Sequence, residues 1–169
     1  MKANIYARKM NIDTRAHMRQ LIESVVHLYL IEVEGFGAYG VRWQRVKEYA
    51  DKMRDKYDEL YPRFIEDELD AMIRRCAASG IIYDKRYGSG DKYRIAKEQD
   101  VAYLPYLLAV RMIYGWGETK LTRMKKGVND RIRYYNKTFG GEGSITMLDV
   151  MQDRLERYKN NRRDKYEQI

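Results

Sequence analysis

Gly35-Phe36-Gly37 and Gly115-Trp116-Gly117 lie 80 residues apart, and each closes an apolar helical run and opens a basic one. A second match, Leu69-Asp70-Ala71-Met72 against Leu148-Asp149-Val150-Met151, keeps an offset of 79. A spacing shared over consecutive elements predicts an internal duplication, and a repeat constrains the fold before any single element does.

Apolar residues at Met18, Leu21, Ile22, Val25 and Tyr29 have the one-face spacing of a helix over about residues 15–33, with Asp13 or Thr14 as N-cap. Val25 to Ile31 would suit a buried strand equally well. Helix is preferred because the periodic run is long and starts at a cap. Gly35 and Gly37 end it. A second helix, about 41–60, buries Val46, Ala50, Met53, Tyr57 and Leu60 and carries Arg42, Arg45, Lys47, Lys52, Arg54 and Lys56 outside. Pro62 breaks the chain before a third helix, about 63–79, with Ile65, Leu69, Met72, Ile73 and Cys76 inward. Its acids Glu66, Asp67, Glu68 and Asp70 come early and Arg74 and Arg75 late, as the helix dipole prefers, so the acidic cluster is read as structural.

After Gly80 the period changes. Ile81 to Tyr87 and Asp91 to Ile95 flank Gly88-Ser89-Gly90, the pattern of a β-hairpin with a glycine turn. Over about 15–96 this order resembles a winged helix-turn-helix DNA-binding domain. The resemblance implies a recognition helix ending at Ser79-Gly80, with Arg74 and Arg75 on it, and a wing carrying Lys85, Arg86, Lys92 and Arg94. The long helix from Val41, joined through Leu60-Tyr61-Pro62, departs from the family's tighter turn.

The second unit opens with an apolar helix at 104–114, where Pro105 fits a first turn. The helix from Glu118 to Asn136 places Leu121, Met124, Val128, Ile132 and Tyr135 on one face. From Lys120 to Lys137 it holds seven cations, Lys120, Arg123, Lys125, Lys126, Arg131, Arg133 and Lys137, against the single acid Asp130. With Tyr134 this is the strongest basic and aromatic surface in the chain, although a solvated helix face would have the same pattern. A last helix capped by Ser144 carries Leu148, Met151, Leu155 and Tyr158. The expected fold is mainly α, two duplicated three-helix units with one β-hairpin wing. Residues 1–14 form an arm, 15–97 the winged unit, 98–160 the second unit and 161–169 a polar tail.

Composition restricts the partners. A net charge of +8 over 169 residues favours a polyanion, although a solubilising surface also produces such a balance. Cys76 is the only cysteine, which excludes an intrachain disulfide or a thiolate zinc site. No run reaches the roughly 18 apolar residues of a membrane span, and no signal peptide is legible, so the expected compartment is the cytoplasm. His17 and His27 fit no metal spacing, and the chain lacks the zincin, P-loop and nucleophile-elbow motifs. Gly88 to Lys92 has no following helix to present to a phosphate, and Glu118-Thr119-Lys120 lies at a helix start, the wrong setting for a nuclease E-x-K. The expectation is a protein without catalytic residues, metal or cofactor.

Tyr114-Gly115-Trp116-Gly117-x-x-Lys120-Leu121, between an apolar and a basic helix, resembles a module in short proteins of bacteriophages and prophages of Gram-positive bacteria. The resemblance covers about 104–158, and 29–79 more loosely, and implies a habitat in the infected bacterial cell. The expected activity is non-enzymatic binding of nucleic acid, DNA ahead of RNA and duplex ahead of single strand, through Arg74, Arg75, the wing and the second basic helix. The rival is an inhibitor of a host defence nuclease, similar to anti-CRISPR proteins, that docks on a nucleic-acid-binding host protein or CRISPR effector. Oligomeric state is not legible, and a dimer is open to it.

Overall fold

The computed structural model describes residues 2–83, 93–139 and 144–167. Six helices make up its regular structure: α1 Lys2–Glu32, α2 Val41–Leu60, α3 Ile65–Ala78, α4 Arg94–Tyr114, α5 Glu118–Phe139 and α6 Ser144–Glu167. Helix α1 runs through Asp13 and Thr14 without a break, so its backbone takes in the segment read as an arm.

The two apolar helices form the centre. α4 packs chiefly on α1, α2 and α3, whereas α1 packs chiefly on α4, α5 and α6. Each unit's first helix therefore lies against the other unit's second and third helices, and one buried cluster draws on all six. Ile22, Val25, Leu28 and Leu30 of α1 and Leu104, Leu108, Ala109 and Val110 of α4 lose all solvent contact. The segments 21–30 of α1 and 101–110 of α4 are buried nearly all round because each is covered on several sides.

The first glycines of the paired triplets share a backbone conformation. Gly35 and Gly115 take the left-handed conformation, φ 70° and 65°, with no atom near a would-be Cβ, so backbone conformation alone selects glycine there. Phe36 and Trp116 are both buried. Beyond the triplets, Trp43, Val46 and Ala50 of α2 and Leu121, Met124 and Val128 of α5 form matching buried stripes. Ala38-Tyr39-Gly40 lengthen only the first linker. Leu69 and Met72 of α3 are matched by Leu148 and Met151 of α6, all buried.

The β-hairpin wing is not supported, since no strand occurs among the described residues. Ile81, read as the start of a strand, completes the stop of α3. Its N–H bonds the Cys76 carbonyl at 2.8 Å while the Gly80 N–H bonds Ala77 at 3.1 Å, a Schellman arrangement that buries Ile81 as its apolar contact. Tyr93 forms a helical turn, and Arg94 and Ile95, expected in the second strand, open α4. Lys85, Arg86, Lys92 and the Gly-Ser-Gly tip lie outside the described residues.

That early start of α4 places Pro105 inside the helix, not in its first turn. The missing N–H and the ring clash cost a helix interior about 3 kcal/mol. Continuous burial from Val101 to Val110 offsets this cost. Two further positions differ from the periodic reading: Leu60 is exposed at the end of α2, and Glu68 is fully buried in α3.

Candidate nucleic-acid interface

Helix α5 brings its apolar stripe against α1 and α6 and turns the remaining surface outward. Its seven cations divide into two groups. Lys120 and Arg123 converge on Glu34, at 3.6 and 2.9 Å, and the Tyr29 hydroxyl donates to the same carboxylate at 3.0 Å. Burial, reinforced by this bond, pushes the Tyr29 phenol up to about 12. Arg131 pairs with Glu32 at 3.5 Å and lies over the Tyr29 ring. Lys125 sits over the Tyr83 ring at 4.6 Å, and Lys120 also covers Trp116 at 4.4 Å. These four cations tie the end of α1 and the segment after α3 to α5.

Lys126, Arg133 and Lys137 form the second group. They are exposed and, among the described residues, have no carboxylate within ion-pair distance. Steps of seven and four residues put them along one face of α5, a stripe about 16 Å long at a 1.5 Å rise. Tyr134, more than half exposed, stands beside Arg133 and one turn from Lys137. Arg74 and Arg75 are exposed near the end of α3, a different helix from the one that carries the stripe.

Beyond the stripe, α5 and α6 flank an open cleft of about 480 Å³, lined in part by Tyr134, Tyr135, Arg154, Arg157 and Tyr158. Glu32 of α1 anchors two of the lining side chains. Arg154 forms an ion pair with Glu32, the Tyr158 hydroxyl donates to Glu32 at 2.9 Å, and Arg154 donates to the Tyr135 hydroxyl at 3.1 Å. In the sequence this part of α6 shows only an apolar stripe passing into a polar tail. Its signal was Glu32 and Glu34: carboxylates at a helix C-terminus face the negative end of the dipole and need cations close by.

The remaining candidate chemistry is structural. His27 stacks on Trp43 with centroids 3.9 Å apart, and its Nε2 meets the Ala38 carbonyl at 2.5 Å. Burial is the main cause that holds its imidazole down at about 4, so it is neutral near pH 7. Burial likewise pushes the Cys76 thiol up to about 12, away from nucleophilic use. Among the described residues no group of His, Cys, Asp and Glu is arranged to hold a metal, and no helix is long and apolar enough to cross a membrane. No family model matches the chain, and no curated protein or solved structure is significantly similar to it.

Proposed function

We propose that this protein binds nucleic acid, DNA ahead of RNA, by its phosphate backbone and without catalysis, using the exposed face of α5. One observation carries the reading: Lys126, Arg133 and Lys137 line up on a rigid helix with no carboxylate to neutralise them among the described residues. Such a row releases counterions from a polyanion and reads little sequence. Lys120, Arg123 and Arg131, already paired with Glu34 and Glu32, contribute less than the sequence count suggests. Affinity measured against salt concentration tests the reading. Replacing the three exposed cations by Gln weakens binding about equally for all sequences and lowers the salt slope by roughly one per lost contact. Unchanged affinity and slope mean that the face is merely solvated.

A protein-binding role, as a phage inhibitor of a host nucleic-acid-binding effector, is the second reading. Its supporting observation is the corner between α2 and α3, where Leu60 and Phe64 are 58% and 62% exposed. A pull-down from bacterial lysate with and without nuclease separates the two: capture that survives nuclease and fails on Phe64→Ser favours the inhibitor.

A further inference from the structure

The backbone reading leaves the cleft between α5 and α6 without a task. We infer that it takes a single unstacked base, which makes the preferred ligand of the α5 face a single-stranded nucleic acid. The inference rests on the proposed function and adds a ligand class to it.

Three features point to a base. The opening is about 480 Å³, within the range of small-molecule sites and ample for one base. Three of its eight lining residues are tyrosines: Tyr134 is exposed, Tyr135 stands edge-on to it with centroids 5.3 Å apart, and Tyr158 lies opposite on α6. A base can stack on an exposed ring whatever its identity, because every base has a π face.

Each arginine lining the cleft already has a carboxylate partner. Arg154 is held by Glu32, and Arg157 by Asp153 at 3.1 Å. A cleft so compensated suits a neutral base better than a phosphate. The uncompensated charge lies just outside, at Arg133 and Lys137, which run along the helix next to Tyr134. A strand whose phosphates follow those cations can turn one base inward over Tyr134. A base kept within a duplex stack cannot enter.

The test compares three probes of equal length: oligothymidylate, an abasic oligodeoxyribonucleotide with the same phosphates, and a duplex. The inference expects oligothymidylate to bind the full-length protein about tenfold more tightly than the abasic strand, the order of one stacked base. Tyr134→Ala removes that preference and leaves abasic and duplex affinity unchanged, whereas Tyr134→Phe keeps it. Gln at Lys126, Arg133 and Lys137 weakens all three probes. Equal binding of oligothymidylate and the abasic strand, or an equal loss of all probes in Tyr134→Ala, overturns the inference and leaves the backbone reading standing. Failure of the wild-type protein to bind any probe overturns both.

Discussion

Phe36 and Trp116, the central residues of the two triplets, meet edge to face with centroids 6.3 Å apart and ring planes at 78°. The repeated element thus forms a contact between the two halves, extended by the edge-on Tyr114 at 5.8 Å from Phe36. Truncating either ring to Ala is expected to cost about 3–5 kcal/mol. A double-mutant cycle by chemical denaturation should return a coupling of about 0.5–1.5 kcal/mol. Additive losses would mean that the rings are buried side by side without interacting.

Gly127 offers a test in which packing and helix propensity predict opposite signs. A Cβ built there falls 2.3 Å from Cε2 of the Tyr29 ring, which is buried and held at its hydroxyl by Glu34. Propensity alone makes Gly127→Ala stabilising by about 1 kcal/mol. Overpacking is expected to reverse this to a loss of about 1–3 kcal/mol. A rise in thermal midpoint would show that Tyr29 moves aside at little cost.

Glu34 restrains part of the basic face. Glu34→Gln frees Lys120 and Arg123 from their carboxylate, and is expected to tighten nucleic-acid binding and steepen its salt slope by up to about one unit per freed cation. Fluorescence anisotropy over a salt series checks this. An unchanged slope would place those two cations beyond reach of the bound strand.

Stability against pH should carry two opposed contributions. Burial, reinforced by the charge of Asp58, pushes the Glu68 carboxyl up from 4.5 to about 7. Burial also resists ionisation of Asp58, but the two-pronged Arg19 contact at 2.8 and 2.5 Å outweighs it and holds that carboxyl below its usual range. The folded state binds the Glu68 proton more tightly than the unfolded chain, so stability falls as pH rises from about 4.5 to 7. His27 does the reverse. Its imidazole is lowered from 6.5 to about 4, and its contribution is lost as pH falls through that window. Glu68→Gln should remove the first slope and uncover the second. Above pH 7 this variant should equal or exceed the wild type in denaturant unfolding, since position 68 no longer holds a buried carboxylate to be ionised. Parallel pH profiles for the two proteins would refute the assignment.

Much of the helical pattern is local, and it was legible. The stripes of α3, α5 and α6 follow a period of 3.6 that any amphipathic helix must show, and Gly35 and Gly115 stop helices because only glycine reaches positive φ cheaply. The wing was misread because Ile81 is apolar for a helix stop as well as for a strand, and only the 2.8 Å bond to Cys76 separates the two. Pro105 was misplaced for a related reason: a proline within a helix is tolerated only when surrounding helices bury it, and burial is not a local property.

The same division holds for the candidate site. The sequence by itself determined how many cations α5 carries and at what spacing. Which of them remain available was decided by tertiary structure, because α1 ends with Glu32 and Glu34 directed at Arg131, Arg154, Lys120 and Arg123 from at least 86 residues away. Charge is written into a chain residue by residue, but its neutralisation depends on distance in space. The packing of each unit's first helix on the other unit's second and third helices sets those distances here.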